Sequence, residues 1–164
     1  LSKHSQRVVF VGGPITFARS NQNGYHPKLK LDLEQVIQVL EAEGMTVHSA
    51  HRVENFGTVD ITGQSQAITL RDYAWMKSCD IFVAFLPDQN GEILRTDGTC
   101  VELGWASSMG RPIILLRDGS QARPLIDGLE AIACVKTILI DDFLKNPRLL
   151  IEKISEIQSR STPI

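Results

Sequence analysis

Over residues 28–43 the apolar side chains Leu29, Leu33, Val36, Ile37 and Leu40 recur at offsets of 0, 4, 7, 8 and 11, and Gly44 follows them. That spacing keeps one face of a helix apolar and predicts an amphipathic helix closed by the glycine. Elsewhere the pattern is one of short continuous apolar runs. Val8 to Val11 run into Gly12-Gly13, which predicts a buried first strand breaking into a tight turn. Residues 81–86 are apolar without interruption, as a strand covered on both faces must be, and Pro87 ends them. Shorter strands are expected over residues 45–50, 113–116 and 135–140. Helices are expected over residues 64–78, with Ile68, Tyr73 or Trp75, and Met76 on the buried side, and over residues 99–109. A last helix follows Asn146-Pro147, an N-cap and first-turn proline ahead of Leu150, Ile154 and Ile157.

Five strands alternating with helices imply an α/β fold of Rossmann-like, flavodoxin-like type: a five-stranded parallel sheet with right-handed crossovers and helices on both faces. With no repeat, linker or low-complexity tract, residues 1–164 read as one domain. Ligands bind such sheets at the carboxyl ends of the strands, where strand order reverses. Chemistry is therefore expected from residues 12–16, 51–54, 88–102 and 117–120.

Composition narrows the function classes. Seventeen Lys and Arg against 19 Asp and Glu leave a net charge of −2, which argues against a chain whose main task is neutralising nucleic acid or an anionic membrane. A domain of about 150 residues buries roughly 68–70% of its unfolded surface, so no metal or disulfide staple is required. Cys79, Cys100 and Cys134 form no Cys-x-x-Cys pair and read as buried thiols of a reducing compartment. No apolar run approaches the ~20 residues that cross a bilayer. A cytoplasmic protein is expected, and Leu1 in place of Met leaves open that residues precede it. His4, His26 and His48 are too scattered for a metal site.

Among the loop residues, Glu102 stands in the first turn of the helix that follows the central strand, where the helix terminus would keep a carboxylate ionised and fit to act as a nucleophile. The same macrodipole preference explains many structural Glu residues. Asp72, eight positions before Asp80, reaches the site only if its helix starts beside it, and is otherwise a solvated surface acid. An ionised carboxylate paired with a protonated one is the equipment for cleaving a glycosidic bond. Gly12-Gly13 either lets backbone amides approach a ligand or merely makes a turn; no full dinucleotide or phosphate-loop motif is present. His51-Arg52 fits an anion or a base edge, or a plain exposed loop. Phe10, Phe85 and Trp105 are expected in the core rather than as stacking platforms.

Taken together, residues 9–15, Asp72 ahead of Asp80, residues 80–85 and Gly98-Thr-Cys-Val-Glu-Leu-Gly-Trp-Ala106 resemble the nucleoside 2-deoxyribosyltransferase superfamily, in its nucleotide N-glycosidase branch. Ala50-His51-Arg52, residues 102–112 and Gly128-Leu129-Glu130 are most similar to CMP and 5-hydroxymethyl-CMP hydrolases of nucleoside antibiotic pathways. The resemblance implies that Glu102 is the nucleophile that attacks the anomeric carbon, and that Asp72 is the acid assisting the departing base. It implies no metal or organic cofactor, and a homodimer or larger homo-oligomer whose sites are shared between subunits. The expected partner is a small nucleotide, with neither nucleic acid nor membrane. Substrate contacts are expected from Phe10, Gly12, Gly13, Pro14, Ile15, His51, Arg52, Thr96 and Gly98.

Phe10 stands where deoxyribose-specific members carry Tyr, which leaves room beside a 2′-hydroxyl. Thr96 stands where nucleotide-cleaving relatives present a Ser to the 5′-phosphate and transferases an Asp; a hydroxyl donates to phosphate and a carboxylate repels it. Both favour a pyrimidine ribonucleotide, CMP or a 5-substituted CMP first. Two departures bear on the phosphate: Thr16 replaces an Arg of the nucleotide hydrolases, and residues 88–97 are long and acidic. Arg19 or Arg52, or Ser120 from another subunit, could compensate. The alternatives are a deoxyribosyltransferase exchanging bases and a nucleotide-binding sensor without turnover.

Overall fold

The computed structural model describes residues 6–20, 24–119 and 121–159; His4 and Ser120 lie outside them. The chain forms a Rossmann-like α/β fold with a parallel five-stranded sheet and helices on both faces. Strand β1 (Val8–Gly12) leads through helix α1 (Pro27–Ala42) to β2 (Thr46–Ser49), then through α2 (Ala50–Val53) and α3 (Ser65–Ser78) to β3 (Ile81–Leu86). A small antiparallel pair, β4 (Asp88–Gln89) and β5 (Glu92–Ile93), precedes α4 (Asp97–Ser108) and β6 (Ile113–Arg117). The chain ends through α5 (Pro124–Asp127), β7 (Val135–Leu139), α6 (Ile140–Lys145) and α7 (Arg148–Ser159). The sheet order is β2-β1-β3-β6-β7.

The two faces carry separate cores. Odd positions of β1, Val9 and Val11, join Val83 and Phe85 of β3 under α1, α6 and α7. Phe10, Phe82 and Ala84 point the other way, against Met76 of α3 and Leu103 and Ala106 of α4. All six residues of β3 are buried, because the central strand is covered on both faces and flanked on both edges. In α1 the buried residues are Leu29, Leu33, Val36, Ile37 and Leu40, the helical stripe that the spacing predicts, and Gly44 at φ +79° follows the helix end.

Some elements differ from the pattern. On α3 the buried side is Asp72 and Met76, while Tyr73 is exposed and Ile68 and Trp75 are half-buried; the apolar residues have no clean period because the face turned to the site is polar. The loop after β3 folds into the β4–β5 hairpin, and α6 forms directly after β7 with Asp141 and Asp142 in its first turn. Only Cys79 is a buried thiol; Cys100 and Cys134 are exposed, since α4 turns Cys100 outward and Cys134 precedes the edge strand β7. Among the described residues no helix is long and apolar enough to cross a membrane.

Leu33 is fully buried at the middle of the α1 stripe. Leu33→Ala is expected to lower stability by about 2–5 kcal/mol, read from urea denaturation as a lower midpoint at an unchanged m-value.

Candidate active site

Strand order reverses between β1 and β3. From β1 the chain leaves through α1 on one face, and it enters β3 from α3 on the other, so a crevice opens at their carboxyl ends. A cavity of about 210 Å3 lies there, walled by Gly13, Ile15, Thr16 and Phe17 after β1, Glu54, Ile61, Ile68, Asp72, and residues 95–99 with Glu102. Glu102 is in the second turn of α4 because the helix begins at Asp97, and it is 8% exposed. A Cβ on Gly12 would stand 2.3 Å from Glu102 Oε2 and 2.8 Å from the Phe82 ring, so only glycine leaves that carboxylate room against the strand.

Asp72 is 7% exposed and faces the same cavity. Its neighbour Arg71 ties the acids together: Nε donates to Asp72 Oδ1 at 2.8 Å and Nη2 to Glu54 Oε1 at 3.0 Å. The guanidinium lies 4.8 Å from the Trp75 ring centre, and Trp75 stacks on His48 at 5.0 Å. Glu54 is 2% exposed. Oε2 of Glu54 and Oε2 of Glu102 are buried without a hydrogen-bond partner among the described residues. At the start of α4 the Thr96 hydroxyl donates to Thr99 Oγ1 at 2.6 Å, and Arg95 pairs with Asp97 at 2.7 Å.

Burial, and after it the charge of Asp72, pushes Glu102 well above the ordinary carboxylate range; Arg71 opposes the rise and Glu54 adds to it. Asp72 is raised too, by burial, with Arg71 pulling it back. The expectation that the helix terminus keeps Glu102 ionised is thereby corrected. A helix-terminal field fades beyond the first turn, and Glu102 sits one turn deeper among acids. Two adjacent carboxyls, both raised, hold a proton to higher pH than isolated ones do. Among the described residues no group of three or more His, Cys, Asp or Glu side chains is arranged to hold a metal ion, and the Arg71 guanidinium occupies the place between Glu54 and Asp72.

Residues 9–147 match the sequence signature of the family described as nucleoside 2-deoxyribosyltransferase. The chain belongs to this family. It is similar in structure to the CMP N-glycosidase BcmB of Clostridium botulinum, at 27% identity and a TM-score of 0.58, over 85% of this chain and 96% of that one. It is also similar to BlsM, at 27% identity and a TM-score of 0.71, over 96% of this chain and 98% of that one. A 2-deoxyribosyltransferase from Bacillus psychrosaccharolyticus shares the fold at 20% identity and a TM-score of 0.54, over 77% of this chain and 82% of that one. No curated protein gives a significant match.

Of the residues singled out in the sequence, Glu102, Asp72, Gly13, Ile15, Thr96 and Gly98 line the cavity, as does Thr16. Others are elsewhere. Phe10 is fully buried between Trp75 and Phe82 and does not reach the cavity wall, because β1 turns it into the core beneath α3. His51 is buried edge-on to Tyr25 and beside Gly13, and burial pulls its pKa down to about 4, so it is neutral at physiological pH and no anion-binding cation. Arg52 turns away to Glu41 and to the Val47 carbonyl at 2.8 Å, and Arg19 donates to the Val59 carbonyl at 3.4 Å. Gly12 shapes the site from behind, Pro14 is not on the cavity wall, and the Ser120 assignment lies outside the described residues. Glu54, Arg71 and Arg95 were not singled out: nothing in their spacing marks them, although Glu54 falls in the loop after β2 and Arg71 adjoins Asp72.

The raised Glu102 carboxyl predicts a pH-dependent cost. In the unfolded chain the group ionises near its ordinary value, so above that pH the folded state holds the proton more tightly and loses stability as pH rises. Glu102→Gln removes this cost. The variant is expected to melt higher than the parent at pH 8 in thermal unfolding followed by circular dichroism. The gap should close as the pH falls toward 4.5, the carboxyl's ordinary value; a gap that is constant with pH contradicts the buried-carboxylate origin.

Proposed function

We propose that this chain hydrolyses the N-glycosidic bond of a pyrimidine ribonucleoside 5′-monophosphate, CMP or a 5-substituted CMP first, giving free base and ribose 5-phosphate. The observation that carries the reading is the meeting of Glu102 and Asp72 on one cavity at the switch point of the sheet. Family membership supports glycosyl chemistry, and the similarity to the CMP N-glycosidase supports hydrolysis of a cytosine nucleotide.

In the proposed reaction a Glu102 carboxylate oxygen attacks C1′ while the C1′–N1 bond breaks with its electron pair moving to the base. Asp72, protonated, delivers its proton to the leaving base. Water then attacks C1′, the bond from C1′ to Glu102 breaks, and Asp72 takes the water's proton. The pair must therefore carry one proton between them: burial keeps Glu102 well above the ordinary carboxylate range in the empty site, and the reaction requires that proton to pass to Asp72 when the substrate binds. The 5′-phosphate would meet the backbone at the start of α4, the Thr96 hydroxyl and Arg95, whose guanidinium stands over Phe17 at 4.9 Å on the cavity rim. Arg95 supplies a cation where Thr16 supplies none, and a phosphate there has to take the guanidinium from Asp97, to which both its Nε and Nη2 donate in the empty site.

Incubation of the protein with ribo- and deoxyribonucleoside 5′-monophosphates and their nucleosides, with and without free base, tests the reaction by chromatography. Cytosine and ribose 5-phosphate are expected from CMP, and none from Glu102→Ala at unchanged fold. Base exchange confined to deoxynucleosides would instead establish the transferase, and binding without product the sensor. Arg95→Ala is expected to raise KM for the nucleotide roughly tenfold, the loss of about 1.4 kcal/mol, and to leave matched nucleosides unaffected. An equal effect on both withdraws the phosphate role.

A further inference from the structure

The hydrolysis proposed above makes no use of Glu54, yet its carboxylate is buried on the wall that holds Asp72 and Glu102. One oxygen is engaged: Oε1 accepts from Arg71 at 3.0 Å. The other, Oε2, has no hydrogen-bond partner among the described residues. The great majority of buried polar atoms in native proteins are hydrogen-bonded, and one left over on a cavity wall is a place for a ligand or water to complete. The backbone directly after Glu54 is also unusual. Asn55 and Phe56 both take left-handed conformations, at φ 45° and 51°, and the Phe56 carbonyl is held by Tyr25 N–H at 3.0 Å. Non-glycine residues in that region are sparse and gather where a neighbouring side chain has to be held for function.

We propose that Glu54 selects the base: its free Oε2 accepts a hydrogen bond from the exocyclic amino group of an aminopyrimidine and favours cytosine over uracil nucleotides. This rests on the glycosidase reading of the same cavity. Arg71 locates the contact. One guanidinium touches both Glu54 and Asp72, so Glu54 stands next to the acid that protonates the departing base, whereas Thr96 and Gly98 belong to the start of α4. Cytosine carries an amino donor at its 4-position and uracil a carbonyl acceptor, which a carboxylate oxygen repels. A site built around a hydrogen bond rejects the analogue that leaves its buried group unpaired. A ribose hydroxyl is also a donor, and the test separates it.

The parent and Glu54→Gln are compared for kcat/KM on CMP, UMP and dCMP, and for binding of the same three nucleotides by calorimetry in a Glu102→Ala background. The parent is expected to prefer CMP over UMP, and Glu54→Gln to reduce that preference roughly tenfold or more, because an amide donates to a carbonyl as readily as it accepts from an amine. The CMP-to-dCMP ratio should stay as it is. An unchanged CMP-to-UMP ratio overturns the assignment. So does a change confined to the CMP-to-dCMP ratio, which would give Oε2 to the ribose, and so does a failure to bind any of the three. Absence of base release from the parent sinks the hydrolase instead, while the calorimetric ratio still decides Glu54. Should Glu54→Gln not fold, Glu54→Asp, which keeps the charge but withdraws the oxygen by one methylene, is expected to weaken CMP binding and to strengthen UMP binding, and an unchanged ratio of the two overturns the assignment.

Discussion

Arg71 holds one guanidinium between the carboxylates of Glu54 and Asp72, with Glu102 on the same cavity wall, and the site exists because that cation is there. Acids brought out of water repel one another and lose hydration, and a buried pair survives only with close, well-oriented hydrogen bonds. Arg71 supplies two of them while its flat face rests on Trp75, which is itself stacked on His48. The cation offsets part of the cost, while burial and the charge of Asp72 still raise Glu102. That residue of electrostatic strain is what the proposed chemistry draws on: a carboxylate poorly stabilised in the empty site gains when positive charge develops at an anomeric carbon beside it.

The sheet supplies the place. Because α1 and α3 leave opposite faces at the switch point, the ends of β1 and β3 are not roofed by a crossover, and loops from four parts of the chain meet in the gap. The closeness is measured by Gly12, where even a methyl group would overlap the Glu102 carboxylate. The nucleophile proposed for the reaction thus lies against backbone on one side and a cavity on the other. The hydroxyls and amides at the start of α4 lie one turn away on the same helix, so that the sugar and phosphate positions of the proposed substrate would be spaced by the helical rise itself.

Much of this was legible in the sequence. The five strands, the α1 stripe and the fully apolar β3 follow from short-range periodicity, and burial in the structure reproduces them, because a two-faced sheet leaves few ways to dispose of such runs. Glu102 was marked by its place after the central strand and Asp72 by the family resemblance, and the fold brings both onto one cavity. Phe10, Arg52 and Arg19 were equally conspicuous and do not reach the cavity: a strand alternates its faces, and a long arginine goes to whichever carboxylate or carbonyl its neighbours offer.

Local pattern thus fixed the architecture and marked Glu102 as the acid following the central strand, whereas Asp72 stood out only through the family resemblance. The tertiary structure alone decided which cation lies among those acids, that Glu54 joins them, that Cys100 and Cys134 face outward, and that Glu102 is raised rather than held ionised. The grouping of Glu54, Asp72 and Glu102 depends on how α2, α3 and α4 pack at the strand ends, and the exposure of the two thiols on which way α4 and the approach to β7 face. Periodicity reports which face of an element is buried, but the electrostatics of a site depend on which buried faces meet.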